Sequence, residues 1–150
     1  MSAITKVSTK QNKKHSSTAT LLTGAKKKMN GSLHQPVSHA SVQEFSSLKD
    51  ISGYSNEELA ALVGITHRTI RNKKSNNELF DIAQTERLRK LNLLFSEGNE
   101  VFGDKDQFHN WLQQPAYGLD YNTPDELLKQ PGGLDKVLTE VNGIKFGDTI

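Results

Sequence analysis

Large apolar residues are sparse in the first forty positions and then recur at helical spacing to the end of the chain. Val42, Phe45, Leu48 and Ile51 fall at i, i+3 intervals and predict a helix over 41–51, which Ser52-Gly53 ends. Ser55-Asn56-Glu57-Glu58 is a capping box, in which hydroxyl and carboxylate satisfy orphan amides at a helix start. The helix it opens carries Leu59, Ala60, Leu62 and Val63 and stops at Gly64. Ile65-Thr66 leads into a short helix over 67–74, broken by Ser75-Asn76-Asn77.

The second half reads the same way. A longer helix is predicted over 85–101, striped by Leu88, Leu91, Phe95 and Phe102 with Leu94 beside them. Asp104 suits an N-cap for a helix over 106–112 that turns Phe108, Trp111 and Leu112 inward, and Pro115 closes it. Thr123-Pro124-Asp125-Glu126 has the spacing of a second capping box, with proline at its preferred first helical position. The last helix holds Leu134, Val137, Leu138 and Val141 and is expected to end at Asn142-Gly143. No long period-2 run of β-branched residues occurs, so the fold class is all-α.

Composition divides the chain in three. Residues 1–40 are dominated by Ser, Thr, Lys, Gln, Asn, Gly and His, and are expected to form a disordered basic arm. The arm either lies along phosphates or is an inert leader, and Met29 within it offers an alternative start. Residues 41–83 and 84–150 then form an N-terminal and a C-terminal helical domain. Net charge is +2 but polarised: seven lysines and no acid precede Glu44, while from Leu91 onward four basic residues face ten acidic ones. Different partners for the two ends follow from that asymmetry.

Several classes fall away. No cysteine is present, which removes disulfides and thiolate chemistry. No apolar run approaches the ~18 residues of a membrane span, and the first residues have no apolar core of a secretory signal, so a cytoplasmic protein is expected. His15, His34, His39, His67 and His109 have no metal-ligand spacing. The run Gly24-Ala25-Lys26-Lys27-Lys28 lacks the rest of a phosphate-binding loop, and no nucleophile, base and orienting group align. Neither catalysis nor a cofactor is expected.

The chemistry that is present lies between residues 55 and 75. A helix-turn-helix needs a small residue where its helices cross, a glycine in the turn four residues later, and an aliphatic residue six further on. Ala60, Gly64 and Ile70 meet all three spacings, with Leu59, Val63 and Ile65 filling the core positions. This resembles the helix-turn-helix of the Xre and phage-repressor type. Its second helix would enter the major groove. There Arg68, Arg71 and Asn72 suit base edges, Thr66, Lys73 and Lys74 suit the backbone, and His67 suits either. Small-xxx-Gly hairpins also occur without DNA; the capping box and the four cations packed into 68–74 favour the DNA reading.

Beyond it, Glu86-Arg87-Leu88, Val101-Phe102-Gly103-Asp104, Trp111-Leu112-Gln113-Gln114-Pro115, Thr123-Pro124, Glu126-Leu127-Leu128, Gly132-Gly133, Val137 and Ile144-Lys145-Phe146-Gly147 follow in order. Together they resemble the toxin-binding domain of the MbcA/ParS/Xre antitoxins, although Gly143 stands where many members have arginine. The resemblance implies a type II antitoxin, a homodimer or larger assembly, that binds the operator DNA of its own operon. It also implies steric occlusion of a RES-domain toxin, an enzyme that consumes NAD. The toxin-binding residues it implies lie over 134–150: Leu134, Lys136, Val137, Glu140, Lys145, Asp148, Thr149 and Ile150. Two other readings stay open: a helix-turn-helix regulator without a toxin, whose C-terminal half serves dimerisation, and an inhibitor that no longer binds DNA.

Overall fold

Seven α-helices and one 3-10 turn make up the described part of the computed structural model, which covers residues 38–147, and no strand occurs among them. In chain order they are α1 (Val42–Ser52), α2 (Asn56–Val63), α3 (His67–Asn76), α4 (Ile82–Phe102), α5 (Lys105–Leu112), the 3-10 turn Tyr117–Leu119, α6 (Pro124–Leu128) and α7 (Gly133–Phe146). The all-α class read from the periodicity is what the structure has.

The central element is α4, 21 residues long, or about 31 Å at 1.5 Å per residue. Its buried face is Leu88, Leu91, Leu94, Phe95 and Gly98. Against it pack Phe45 and Leu48 of α1, Leu59 and Leu62 of α2, Phe108 and Leu112 of α5, and Leu134, Val137 and Val141 of α7, all in one core. Helices from both sides of residue 84 therefore share that core. Gly98 lets α5 come close, because a Cβ there would sit 2.3 Å from the Phe108 ring. Phe108 is edge-on to Phe95 at 5.8 Å and stacked on Phe102 at 5.5 Å. Phe102 and Trp111 are only half-buried and form the outer layer of this aromatic set.

Four expectations need correction. The arm predicted for 1–40 lies outside the described residues except at its end, where Ala40 is fully buried. Its amide donates to Thr85 Oγ1 at 3.0 Å, and its carbonyl accepts from the Phe80 amide at 2.9 Å. Second, α4 starts at Ile82 and not at 85, because Asp81 and Gln84 cap it reciprocally. Third, α7 runs through Gly143 to Phe146 and stops at Gly147, whose φ of +79° suits glycine. Fourth, Thr123 does not cap α6: its side chain makes no cap bond, and its buried Oγ1 has no partner. The 3-10 turn at Tyr117–Leu119 was not anticipated.

Candidate functional site

The α2–turn–α3 unit has the anatomy its spacing predicts. Ser55 and Glu58 close the capping box at the start of α2. At its other end Gly64 takes φ +86°, and the Ile65 amide reaches back to the Ala60 carbonyl at 2.9 Å. Ala60 and Ile70 are buried beside Leu59 and Val63, so the inner face of α3 packs onto α2. What remains outward on α3 carries the chemistry.

Arg68, Arg71, Asn72 and Lys74 are exposed. Together with His67 and Ser75, Arg68, Arg71 and Asn72 line an open cleft of about 390 Å³, with no acidic side chain in its wall. Thr66 is the N-cap of α3, its hydroxyl accepting from the Thr69 amide at 3.2 Å, and it remains exposed. His67 is half-exposed and held 3.4 Å from Glu57 at the start of α2. Lys73 is half-buried and already has partners within the chain. Its ammonium donates to the Leu79 carbonyl at 2.8 Å and sits 5.5 Å over the Phe80 ring, so it staples the α3–α4 connection.

In the C-terminal half, Leu134 and Val137 are buried against α4; they hold α7 in place and offer no surface. Lys145 is engaged internally, 2.5 Å from Glu97 and 3.2 Å from Glu100, which raises its pKa. Lys136 and Glu140 face outward and, with Gly118, Asp120 and Thr139, line a cleft of about 360 Å³. Asp148, Thr149 and Ile150 lie outside the described residues. The sequence reading missed the exposed aromatics of this end: Tyr117 and Tyr121, packed edge-to-face at 5.6 Å, and Phe146. Their signal was two tyrosines four apart in a proline-bounded loop.

Three polar links tie the helix-turn-helix side to the C-terminal helices. Arg87 donates through Nε to the Leu62 carbonyl at the end of α2, and through a terminal nitrogen to the Leu128 carbonyl at the end of α6, 2.7 Å away. Asn99 donates to the Ile51 carbonyl at 2.9 Å. Tyr54 donates to Asp125 at 2.6 Å. Burial pushes the Tyr54 phenol well above its ordinary value, and the Asp125 charge adds to the effect. Burial works to raise the Asp125 carboxyl as well, but the hydrogen bonds from Lys129 and Tyr54 together outweigh it and hold the group below the usual carboxylate range.

Among the described residues, no cluster of three or more His, Cys, Asp or Glu side chains is arranged to hold a metal ion, and no helix is long and apolar enough to cross a membrane.

Comparison with known proteins bears on the C-terminal half first. Residues 97–147 match the family model described as the antitoxin Xre/MbcA/ParS C-terminal toxin-binding domain. Two curated relatives, both named Antitoxin Xre, are 24% identical. That of Photorhabdus laumondii aligns over 101 residues, 67% of this chain and 68% of its own length. That of Yersinia enterocolitica aligns over 91 residues, 60% of this chain and 62% of its own length. A chain in the crystal structure of the M. tuberculosis MbcT–MbcA toxin–antitoxin complex superposes with a TM-score of 0.57 at 20% identity, covering 73% of this chain and 96% of that one, a likeness of fold. Residues 97–147 are thus similar to the C-terminal toxin-binding domain of the Xre/MbcA/ParS antitoxins, and a longer stretch of the chain is similar to proteins named Antitoxin Xre.

Proposed function

We propose that this chain is a type II antitoxin that sterically neutralises a RES-domain, NAD-consuming toxin and also binds operator DNA to repress its own operon. It acts without catalysis, in the bacterial cytoplasm, as a homodimer or larger toxin–antitoxin assembly. The observation that carries the reading is the joining, in one chain, of a family toxin-binding domain with a helix whose free face is Arg68, Arg71, Asn72 and Lys74. A helix of that kind reads bases through bidentate arginine and asparagine contacts. Lys136, Glu140 and the tail 148–150 are the residues left to meet the toxin, since Leu134 and Val137 lie in the core and Lys145 is paired.

Two measurements test the two halves. Co-expression with the toxin of the neighbouring reading frame should restore growth and yield a co-purifying complex; no rescue sinks the antitoxin half. Arg71→Ala should weaken binding to the upstream operator by roughly 1–3 kcal/mol and relax its specificity. Unchanged affinity and salt dependence would remove α3 from the DNA.

A further inference from the structure

Two tyrosines in the C-terminal half are exposed on a tightly braced loop. Tyr117 is 72% and Tyr121 69% exposed, and their rings pack edge-to-face at 5.6 Å. The loop between them is closed by its own backbone. The Leu119 and Tyr121 amides both donate to the Ala116 carbonyl, at 3.1 and 3.0 Å, and the Ala116 amide donates to the Asn122 carbonyl at 3.2 Å. Asn122 Nδ2 donates to the Leu119 carbonyl at 2.8 Å, and Ala116 and Leu119 are buried, so the loop is anchored from within. Asp120 and Tyr121 take φ of +54° and +61°, a left-handed pair that a ring-bearing residue rarely adopts. Backbone held in such a state costs stability and collects at binding sites.

Gly118 to Asp120, the stretch between the tyrosines, lines the cleft of about 360 Å³ together with α7. The Glu140 carboxylate lies directly over Gly118, where a Cβ would come within 2.0 Å of it. The apolar lining is Leu119 and Leu127, both buried. Asp135 is paired with Lys90 at 2.7 Å, but no cation among the described residues lies within 4 Å of Asp120 or Glu140, Lys136 of the same cleft included. Two uncompensated carboxylates disfavour a nucleic acid or an anionic membrane here. With two exposed rings and a leucine floor they fit a guanidinium instead: its plane stacks on a tyrosine, its fork meets a carboxylate, and its stem covers the leucines. The loop also lies within 97–147, the residues similar to a toxin-binding domain. We propose that Tyr117, Tyr121 and Glu140 form a docking site for an arginine of the toxin, which stacks on the tyrosines and pairs with the carboxylate. A loop braced in this way loses little freedom on binding. The proposal rests on the antitoxin reading, and its test keeps the two apart.

The experiment measures binding of the full chain to the immobilised toxin of the neighbouring reading frame by biolayer interferometry. Tyr121→Asn removes a ring while suiting the left-handed backbone, and Tyr117→Ala removes the other; each should weaken binding about tenfold. Tyr121→Phe keeps the ring and should keep most of the affinity. Glu140→Gln should weaken binding to a similar extent and reduce its dependence on NaCl. Arginine-to-alanine variants of the toxin then identify the partner. One of them should lose about tenfold alone and little more against Tyr121→Asn, because both changes remove the same contact. Its lysine variant should stay weak. Loop and Glu140 variants that all bind as wild type overturn the site and leave the antitoxin reading intact. Losses that add fully with every toxin arginine overturn the arginine. Loop variants that change the oligomeric state in light scattering, and not toxin binding, also overturn the proposal and assign the tyrosines to a second copy of the chain. If Tyr121→Asn fails to fold, Tyr117→Ala and Glu140→Gln decide the outcome. Wild-type protein that does not bind the toxin sinks both proposals.

Discussion

Arg87 is the side chain whose removal should tell most about how the molecule holds together. It is half-buried, and its guanidinium donates to carbonyls at the ends of two helices, Leu62 of α2 and Leu128 of α6. A hydrogen bond from a charged donor is worth about 1.5–3 kcal/mol, and a carbonyl left without a partner adds its own desolvation cost. Water can reach the vacated site in part, so Arg87→Ala should cost about 2–4 kcal/mol. With an unfolding entropy of about 2.1 cal/mol/K per residue, a folded body of about 110 residues converts 3 kcal/mol into a fall of roughly 13 °C in Tm. Arg87→Lys should recover little, because one ammonium cannot reproduce a planar fork that meets two carbonyls in different directions. Arg89→Ala two residues on, which removes an exposed pair with Glu44 at 3.5 Å, should cost less than about 1 kcal/mol. Thermal unfolding followed by circular dichroism decides the matter. An Arg87→Ala melt within about 2 °C of wild type would refute the reasoning.

Two further substitutions probe separate features. Gly133→Ala would place a Cβ 1.8 Å from the Leu127 carbonyl, a backbone atom that cannot swing aside; the expected loss exceeds about 3 kcal/mol and is read as a collapse of soluble yield and of the cooperative melt. Asp125→Asn weakens the bond with Tyr54 and should cost about 1 kcal/mol at neutral pH. Because the folded-state pKa of Asp125 is depressed, its stabilisation is present above the unfolded value of about 3.9 and is lost as pH falls through the lower folded value. The wild-type and Asp125→Asn stabilities should therefore converge below about pH 4, and a gap constant with pH would contradict the assignment.

What could be read from the sequence was local. The capping box at Ser55 and the triplet Ala60, Gly64 and Ile70 act within one turn and one helix crossing, so spacing alone specified them. What could not be read is tertiary. Gly143 looks like a stop, since glycine costs a helix interior about 1 kcal/mol. The burial of Val141 and the Lys145 pairs with Glu97 and Glu100 carry α7 past it. Lys73 carries the same charge as Lys74 and differs only because the chain folds back to bring the Leu79 carbonyl under it. Thr123 has the capping spacing, yet its hydroxyl makes no cap bond. Arg87 is the extreme case. Its acceptors are backbone carbonyls 25 and 41 positions away, and a carbonyl leaves no mark in a sequence.

Those tertiary links bear on whether the two functional halves are separable. A fragment holding 84–150 alone would keep the α4–α5–α7 contacts but expose the α4 face that Phe45, Leu48, Leu59 and Leu62 cover. Phe95 would lose its edge contact with Tyr54, 5.6 Å away. Arg87 would lose the Leu62 carbonyl, Asn99 the Ile51 carbonyl and Asp125 the Tyr54 hydroxyl. Burying four large apolar side chains is worth about 1.5–3 kcal/mol each, and a body of this size has only about 5–15 kcal/mol of net stability. The fragment should therefore have no cooperative thermal transition, and adding 41–83 in trans should restore one. A sharp melt for 84–150 alone would show that the toxin-binding half stands without the helix-turn-helix. The alternative, that it does not, would mean that the proposed operator-binding and toxin-binding surfaces rest on a single core, and substitutions in that core should impair both proposed activities together.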